Sequence, residues 1–174
     1  MRNAVIAAVF QLGWLACVVS GARQRPWDAL AVAAAVIACN LWLQRERLAD
    51  VLRLVALATL VGFGVETVNL LAGVFTLVGA SRFPELCPVW LLALWAMFAT
   101  ILRGPLDWLS GRYALSALLG AAFAAPNYFA GARLGAVVIN PDGRYSLTVL
   151  VLAWAAAMPL LVWLAHGTAR NMKH

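Results

Sequence analysis

The chain has 174 residues, 64% of them hydrophobic and 11% charged, with a formal net charge of +6 and a mean hydropathy of +0.87. A soluble domain carries about 25% charged residues, and no soluble core could hide this much apolar surface, which excludes a water-soluble enzyme or carrier. The Lys and Arg residues sit at the ends of apolar runs rather than in one basic stripe, a pattern that suits anionic headgroups and speaks against nucleic acid as a partner.

Runs of roughly 18 or more apolar residues read as membrane helices, because about 20 residues at ~1.5 Å rise cross a ~30 Å hydrocarbon layer. Six runs bounded by Arg, Pro, Gly or Asp predict an all-α polytopic membrane helix bundle forming one domain over 1–174. The first span is 3–22. Met1-Arg2-Asn3 before an apolar run resembles a signal peptide, and Ser20-Gly21-Ala22 is loosely like a cleavage site. A lipoprotein box at Cys17 is spoiled by the bulky Trp14, so the segment is read as a retained span. Gln11 and Trp14 mark one side of it, and Gly13, Cys17 and Gly21 the next.

Arg23-Gln24-Arg25-Pro26 separates it from the second span, 27–44, and Arg45-Glu46-Arg47 leads into the third, 50–79. Glu66 is the only ionisable residue between Leu54 and Ala80. A carboxylate at the centre of a bilayer costs about 2.5–3.5 kcal/mol on insertion scales, so such residues usually face a bundle interior and mark a site. Gly62, Glu66, Asn69 and Gly73 share a helical face, where small residues would let a neighbouring backbone approach the polar pair. The third span is expected to run to 79 or to end early near Gly73, leaving Phe75 to Pro84 as a partly buried loop or re-entrant piece.

The fourth span, 87–103, carries Trp95, and the fifth, 113–138, carries Pro126-Asn127-Tyr128. That proline frees a backbone carbonyl that must be satisfied inside the protein. Asn127, Gly131 and Gly135 continue at four-residue spacing. The sixth span is 145–166; Pro159 would kink it. Gln11, Glu66, Trp95 and Asn127 each fall near the middle of their own span, so they are expected in one layer. If their helices are neighbours, a polar pocket near the midplane results. No internal repeat is evident.

The candidate ligand-binding residues are Glu66, Asn69, Gln11, Trp14, Trp95, Asn127, Tyr128 and Arg133. Each has a plainer reading. Asn, Gln and Tyr often serve as packing glue at about 0.6 kcal/mol per interhelical bond. Trp14 and Trp95 can be core or lipid-facing bulk, and Arg133 can snorkel to headgroups or pair with Glu66. An amide would glue at lower desolvation cost than Glu66, which favours a functional acid. His166 and His174 lack partner ligands, and Cys17, Cys39 and Cys87 have no CxxC spacing, so no metal site and no cofactor is expected. No paired carboxylate, phosphate loop or nucleophile–base pair is present.

An even number of spans puts both termini on one side. That side carries Arg2, Arg45, Arg47, Arg53, Arg103, Arg112, Arg170 and Lys173, against Arg23, Arg25, Arg82, Arg133 and Arg144 on the other, which predicts cytoplasmic termini. Trp27, Trp42, Trp90, Trp108 and Trp163 lie near span ends, as aromatic belts require.

Three segments together resemble a family of small bacterial inner-membrane proteins classed as a domain of unknown function. They are Phe10-Gln11-Leu12-Gly13-Trp14 with Ala16-Cys17-Val18, then Pro88 to Thr100 (PVWLLALWAMFAT), then Ala130 to Val137 (AGARLGAV). The resemblance runs nearly end to end and implies a bacterial inner membrane, with no activity to inherit. Genes of that family often neighbour those for cyclopropane-fatty-acid-synthase-like enzymes and flavoprotein oxidases, which implies lipid modification or membrane stress by association only. Where the family has Trp-Asp-Ser in the third span, this chain has Val65-Glu66-Thr67. Where it has Gly-Pro-Leu-Ser-Tyr in the fifth, this chain has Ala125-Pro126-Asn127-Tyr128. Acid, proline and tyrosine are kept in kind.

These residues favour a non-catalytic protein that binds or presents a lipid or other hydrophobic small molecule, with membrane lipids and lipid-modifying enzymes as partners. The alternatives are a vitamin-uptake-like transporter subunit, an intramembrane enzyme using Glu66 as acid or base, and a purely structural scaffold.

Overall fold

A computed structural model of the chain describes residues 1–78, 86–140 and 143–170, with the backbone alone for 143–146 and 167–170. The helices are α1 (Arg2–Ala22), α2 (Pro26–Leu43), α3 (Leu48–Leu71), α4 (Val89–Leu102), α5 (Tyr113–Arg133) and α6 (Gly143–Arg170). Pro26 opens α2 at a position whose N–H would have no helical partner, and its fixed φ suits the first turn. Two short strands, β1 (Phe75–Leu77) and β2 (Val137–Ile139), pair antiparallel, with Thr76 opposite Val138. The bundle is all-α apart from this ribbon.

Five helical stretches among the described residues are long and apolar enough to cross a membrane. The fourth predicted span is different in kind. α4 has 14 residues, about 21 Å at 1.5 Å per residue, which is less than the ~30 Å hydrocarbon layer. Its buried positions, Trp90, Leu91, Ala93, Trp95, Met97 and Ala99 among them, cover all its faces, as expected of a helix enclosed by others. It packs against α1, α2 and α3 and touches α6. From α3 the bundle continues to α6 and then α5, curling back towards α1. The small residues Gly13, Cys17 and Gly21 form the seam of α1: a Cβ at Gly13 would press on Val36, and one at Gly21 would stand 2.7 Å from the Trp90 ring.

The third and fifth spans are shorter than hydropathy predicts, for one shared reason. α3 stops at Leu71, the earlier of its two expected ends, and α5 at Arg133 rather than 138. Gly73 and Gly135 take left-handed φ values of +66° and +81°. After each, the chain folds back with the double hydrogen bond of a Schellman ending. Val74 N–H reaches Asn69 O at 2.9 Å and Gly73 N–H reaches Leu70 O at 3.0 Å. Ala136 N–H reaches Gly131 O at 2.9 Å and Gly135 N–H reaches Ala132 O at 3.0 Å. Both glycines are therefore helix stops, not members of a packing stripe. The apolar residues after them enter β1 and β2, which Asn140 ties to α3 by donating to Gly73 O at 3.1 Å. The rest of the predicted loop, including Arg82 and Pro84, lies outside the described residues.

These endings reveal a repeat that the sequence conceals. Tyr128 follows Glu66 by 62 residues, the same interval that separates Gly135 from Gly73 and β2 from β1. The ribbon pairing is itself symmetric about Thr76 and Val138, and α3–β1–α4 and α5–β2–α6 follow the same order of helix, glycine stop, strand and helix. Symmetry would then match the α3–α6 packing with an α5–α4 packing. The first is extensive and the second is not.

Both ends of the described bundle share one face. Asn3 at the start of α1 donates to Gly104 O beyond α4 at 3.5 Å, and His166 near the end of α6 stands 3.8 Å from Asp107. Beneath this face lies a polar layer that single-residue reasoning did not assemble. Asn40 donates to Thr100 Oγ1 at 2.8 Å, Gln44 to Thr100 O at 2.9 Å, and Arg103 pairs with Asp50 at 2.8 Å. Asn40 and Gln44 are four apart on α2, and Thr100 and Arg103 three apart at the end of α4, so helical spacing was the available signal. The side chains of Arg144, Arg170, Lys173 and His174, used for orientation or weighed as ligands, lie outside the described residues.

Candidate functional site

Glu66 is fully buried and accepts hydrogen bonds from two other helices. Trp95 Nε1 on α4 donates to Oε1 at 2.9 Å. The Tyr128 hydroxyl on α5 lies 2.5 Å from both carboxyl oxygens. Asn69, one turn along α3, adds a longer bond to Oε2 at 3.4 Å. This makes the acid a junction between α3, α4 and α5, with both of its oxygens hydrogen-bonded.

Glycine and aromatic packing fix these donors. A Cβ at Gly62 would run into the Trp95 indole, so only glycine lets that ring lie against α3 and reach Glu66. The opposite face of Trp95 stacks on Trp154 of α6, with ring centroids 4.7 Å apart and planes 21° from parallel, the offset arrangement aromatic pairs prefer. The Trp154 indole N–H is buried and makes no hydrogen bond of ordinary geometry. Phe75 of β1 packs on the Tyr128 ring at 5.3 Å, so the ribbon also braces the tyrosine.

These groups border a cleft of about 510 Å³ between α1 and α5, floored by α4. α1 and α5 scarcely meet, so the cleft occupies the place where the symmetric α4–α5 packing is missing. Its polar groups are gathered at mid-depth: Gln11, Glu66, Asn127 and Tyr128. Towards the face with the chain ends the walls are apolar, with Phe98, Ile101, Leu109, Leu119 and Phe123. Towards the ribbon they are Trp14, Val18, Trp90 and Val137, with Gly131 leaving space. Gln11 and Phe123 are exposed, so the cleft opens sideways between α1 and α5.

Six of the eight sequence candidates, Gln11, Trp14, Glu66, Trp95, Asn127 and Tyr128, line this one cavity. Asn69 touches Glu66 from behind and does not line it. Arg133 is exposed in the last turn of α5; the partners of Glu66 are Trp95, Tyr128 and Asn69 instead. Asn127 is partly committed, because its side chain donates to Phe123 O of its own helix at 2.7 Å. Since α3 ends at Leu71, Glu66 is not at mid-helix but about 8 Å from the ribbon end.

Sequence reasoning missed Trp154, and a signal for it existed. Five of the eight tryptophans lie near span ends, whereas Trp14, Trp95 and Trp154 lie well inside their helices, and all three line the cleft. Trp27, Trp42, Trp108 and Trp163 are exposed as a belt requires, but Trp90 is buried against Gly21. The ring contact, not the membrane interface, holds Trp90.

No curated protein and no solved structure matches the chain. One family model, described as Protein of unknown function (DUF2878), matches residues 3–160. That match takes in every cleft residue named above, and the chain belongs to the DUF2878 family.

Proposed function

We propose that the protein binds or presents a lipid or other hydrophobic small molecule in the cleft between α1 and α5. It would do so within a bacterial inner membrane, with both termini cytoplasmic, as an accessory to membrane lipid modification or stress response. The cleft itself carries this reading: about 510 Å³, within the usual range for ligand pockets of roughly 300–1,000 Å³. It has aromatic walls, a side opening towards the acyl chains and one polar focus. A few placed polar groups in an apolar cavity orient a ligand, while the walls supply most of its buried area.

Glu66 suits binding better than catalysis. Both of its oxygens are engaged by Trp95, Tyr128 and Asn69, which preorganises the carboxyl group as an acceptor. Its remaining lone pairs would accept a hydroxyl or amide donor from the ligand.

Native mass spectrometry of protein extracted with its own lipids tests the reading. A defined adduct should survive removal of the annular lipid and should be lost in Gly131→Leu, which fills the ribbon end of the cleft. Glu66→Gln should weaken it without abolishing folding. Protein that carries only bulk annular lipid, with a spectrum unchanged in both variants, would reduce Glu66 to a structural joint.

A further inference from the structure

A second cavity, of about 140 Å³, opens on the face that carries both chain ends, among the start of α1, the end of α2 and the turn after α4. Arg103 lines it but is held by Asp50 at 2.8 Å. Among the described residues the other charged groups lining it are balanced, Arg2 and Arg47 against Glu46 and Asp107, with His166 3.8 Å from Asp107. Among the described residues neither Arg2 nor Arg47 makes an ion pair. A simple anion would meet two carboxylates there, and a simple cation two guanidiniums.

Gln44 adds an independent observation. It is 6% exposed and lines the cavity. Its Nε2 is spent on Asn40 O and Thr100 O, while its Oε1 is buried and has no partner. A buried acceptor without a donor is costly. Gly104 keeps the space beside it clear: an added Cβ would lie 3.5 Å from Gln44 Oε1 and 3.8 Å from Asn3 Oδ1.

We infer that this cavity is a headgroup site for a membrane lipid carrying a phosphodiester and a primary ammonium, the phosphoethanolamine type. Arg2 and Arg47 take the phosphate, with the flexible reach that interfacial arginines have. The ammonium donates to Gln44 Oε1 and lies between Glu46 and Asp107. The position suits a headgroup, because the cavity sits at the helix ends, where the bilayer's polar layer would be. The site is separate from the cleft, although the turn after α4 walls both: Ile101, Leu106 and Leu109 face the cleft, and Arg103, Gly104 and Asp107 this cavity.

Delipidated full-length protein in detergent, titrated with short-chain lipids and read by native mass spectrometry, provides the test. Phosphatidylethanolamine should bind at least tenfold tighter than phosphatidylcholine, which has no N–H donor, and than phosphatidylglycerol, which has no cation. Arg2→Ala with Arg47→Ala should lower its affinity tenfold or more. Gly104→Ala, whose methyl meets only ordinary contacts, should do the same while the lipid-free melting temperature stays unchanged. Equal binding of the three lipids, or undiminished binding by these variants, overturns the assignment and leaves a solvent-filled cavity. Soluble glycerophosphoethanolamine competing as well as the lipid would also overturn it, because the ligand would then be a free headgroup compound. Gly131→Leu should leave this titration unaltered, so failure here and failure of the cleft reading are distinguishable.

Discussion

The Tyr128 hydroxyl lies 2.5 Å from both carboxyl oxygens of Glu66, and each residue stands about two helical turns before a left-handed glycine that ends its helix. The bond joins equivalent positions of two halves related through the β1–β2 ribbon. It crosses the bundle beside the cleft at mid-depth and leaves the side open. Three predictions follow from this joint and its supports, and one from the terminal face.

Removing the shared acceptor should cost more than weakening it. Glu66→Leu strands the Trp95 and Tyr128 donors, at about 1–3 kcal/mol for each buried group left unpaired. Glu66→Gln keeps one acceptor oxygen and should lose less. Thermal unfolding in detergent should rank the variants wild type, Gln, Leu in falling stability; a Leu variant as stable as wild type would mean that the bonds contribute nothing.

Two glycines on the same helix should respond oppositely to alanine. A methyl at Gly62 meets the Trp95 indole, whereas one at Gly64 meets nothing within 4 Å. Gly62→Ala should destabilise by about 1–3 kcal/mol through overpacking and alter tryptophan fluorescence as the ring leaves Glu66. Gly64→Ala should be neutral or stabilising by up to about 1 kcal/mol from helix propensity. The difference between their melting temperatures is the measurement.

The ribbon register can be trapped chemically. Thr76 and Val138 are direct partners and both exposed, and opposite residues in an antiparallel pair have Cβ atoms about 4.5–5.5 Å apart. Thr76→Cys with Val138→Cys, in a background free of the native cysteines, should crosslink under mild oxidation, whereas Thr76→Cys with Ile139→Cys should crosslink far more slowly. Gel mobility of a protein cleaved between α4 and α5 reads the outcome. Equal rates for both pairs would rule out the fixed register.

The Asp50–Arg103 pair is largely buried, with side chains 14% and 7% exposed. Leaving one buried partner without the other should cost about 3–5 kcal/mol, so Asp50→Asn and Arg103→Met should each lower the unfolding midpoint. Combining them should cost less than the sum of the two, as measured by a double-mutant cycle.

Hydropathy alone located the six α-helices among the described residues, because a long apolar run with little charge is a local property, although α4 is too short to cross a bilayer. It misplaced the end of α5, at Arg133, and left that of α3 open between Gly73 and 79, because residues 74–78 and 136–139 are as apolar in a strand as in a helix. Gly73 was legible as a possible stop, whereas the four-residue spacing of Asn127, Gly131 and Gly135 made Gly135 look like a seam position. Membership of the cleft was legible for Gln11, Trp14, Glu66, Trp95, Asn127 and Tyr128 because mid-span polar or aromatic residues are costly or conspicuous in an apolar chain. Trp154 was passed over, and the terminal layer of Asn40, Gln44, Thr100 and Arg103 was never assembled, since its members belong to segments far apart in sequence.

The sequence by itself determined an apolar helical bundle of the membrane type with one acid inside a long apolar run, since composition and run length are read directly from it. Tertiary structure alone decided that Tyr128, not Arg133, faces that acid, that the two halves repeat about a ribbon, and that the missing α4–α5 packing leaves a cleft. Each of these depends on which faces of distant helices meet. Side-chain shape sets that choice, through the contact of Gly62 with Trp95 and the stacking of Trp95 on Trp154, and in a chain that is apolar on nearly every face hydropathy carries no record of it.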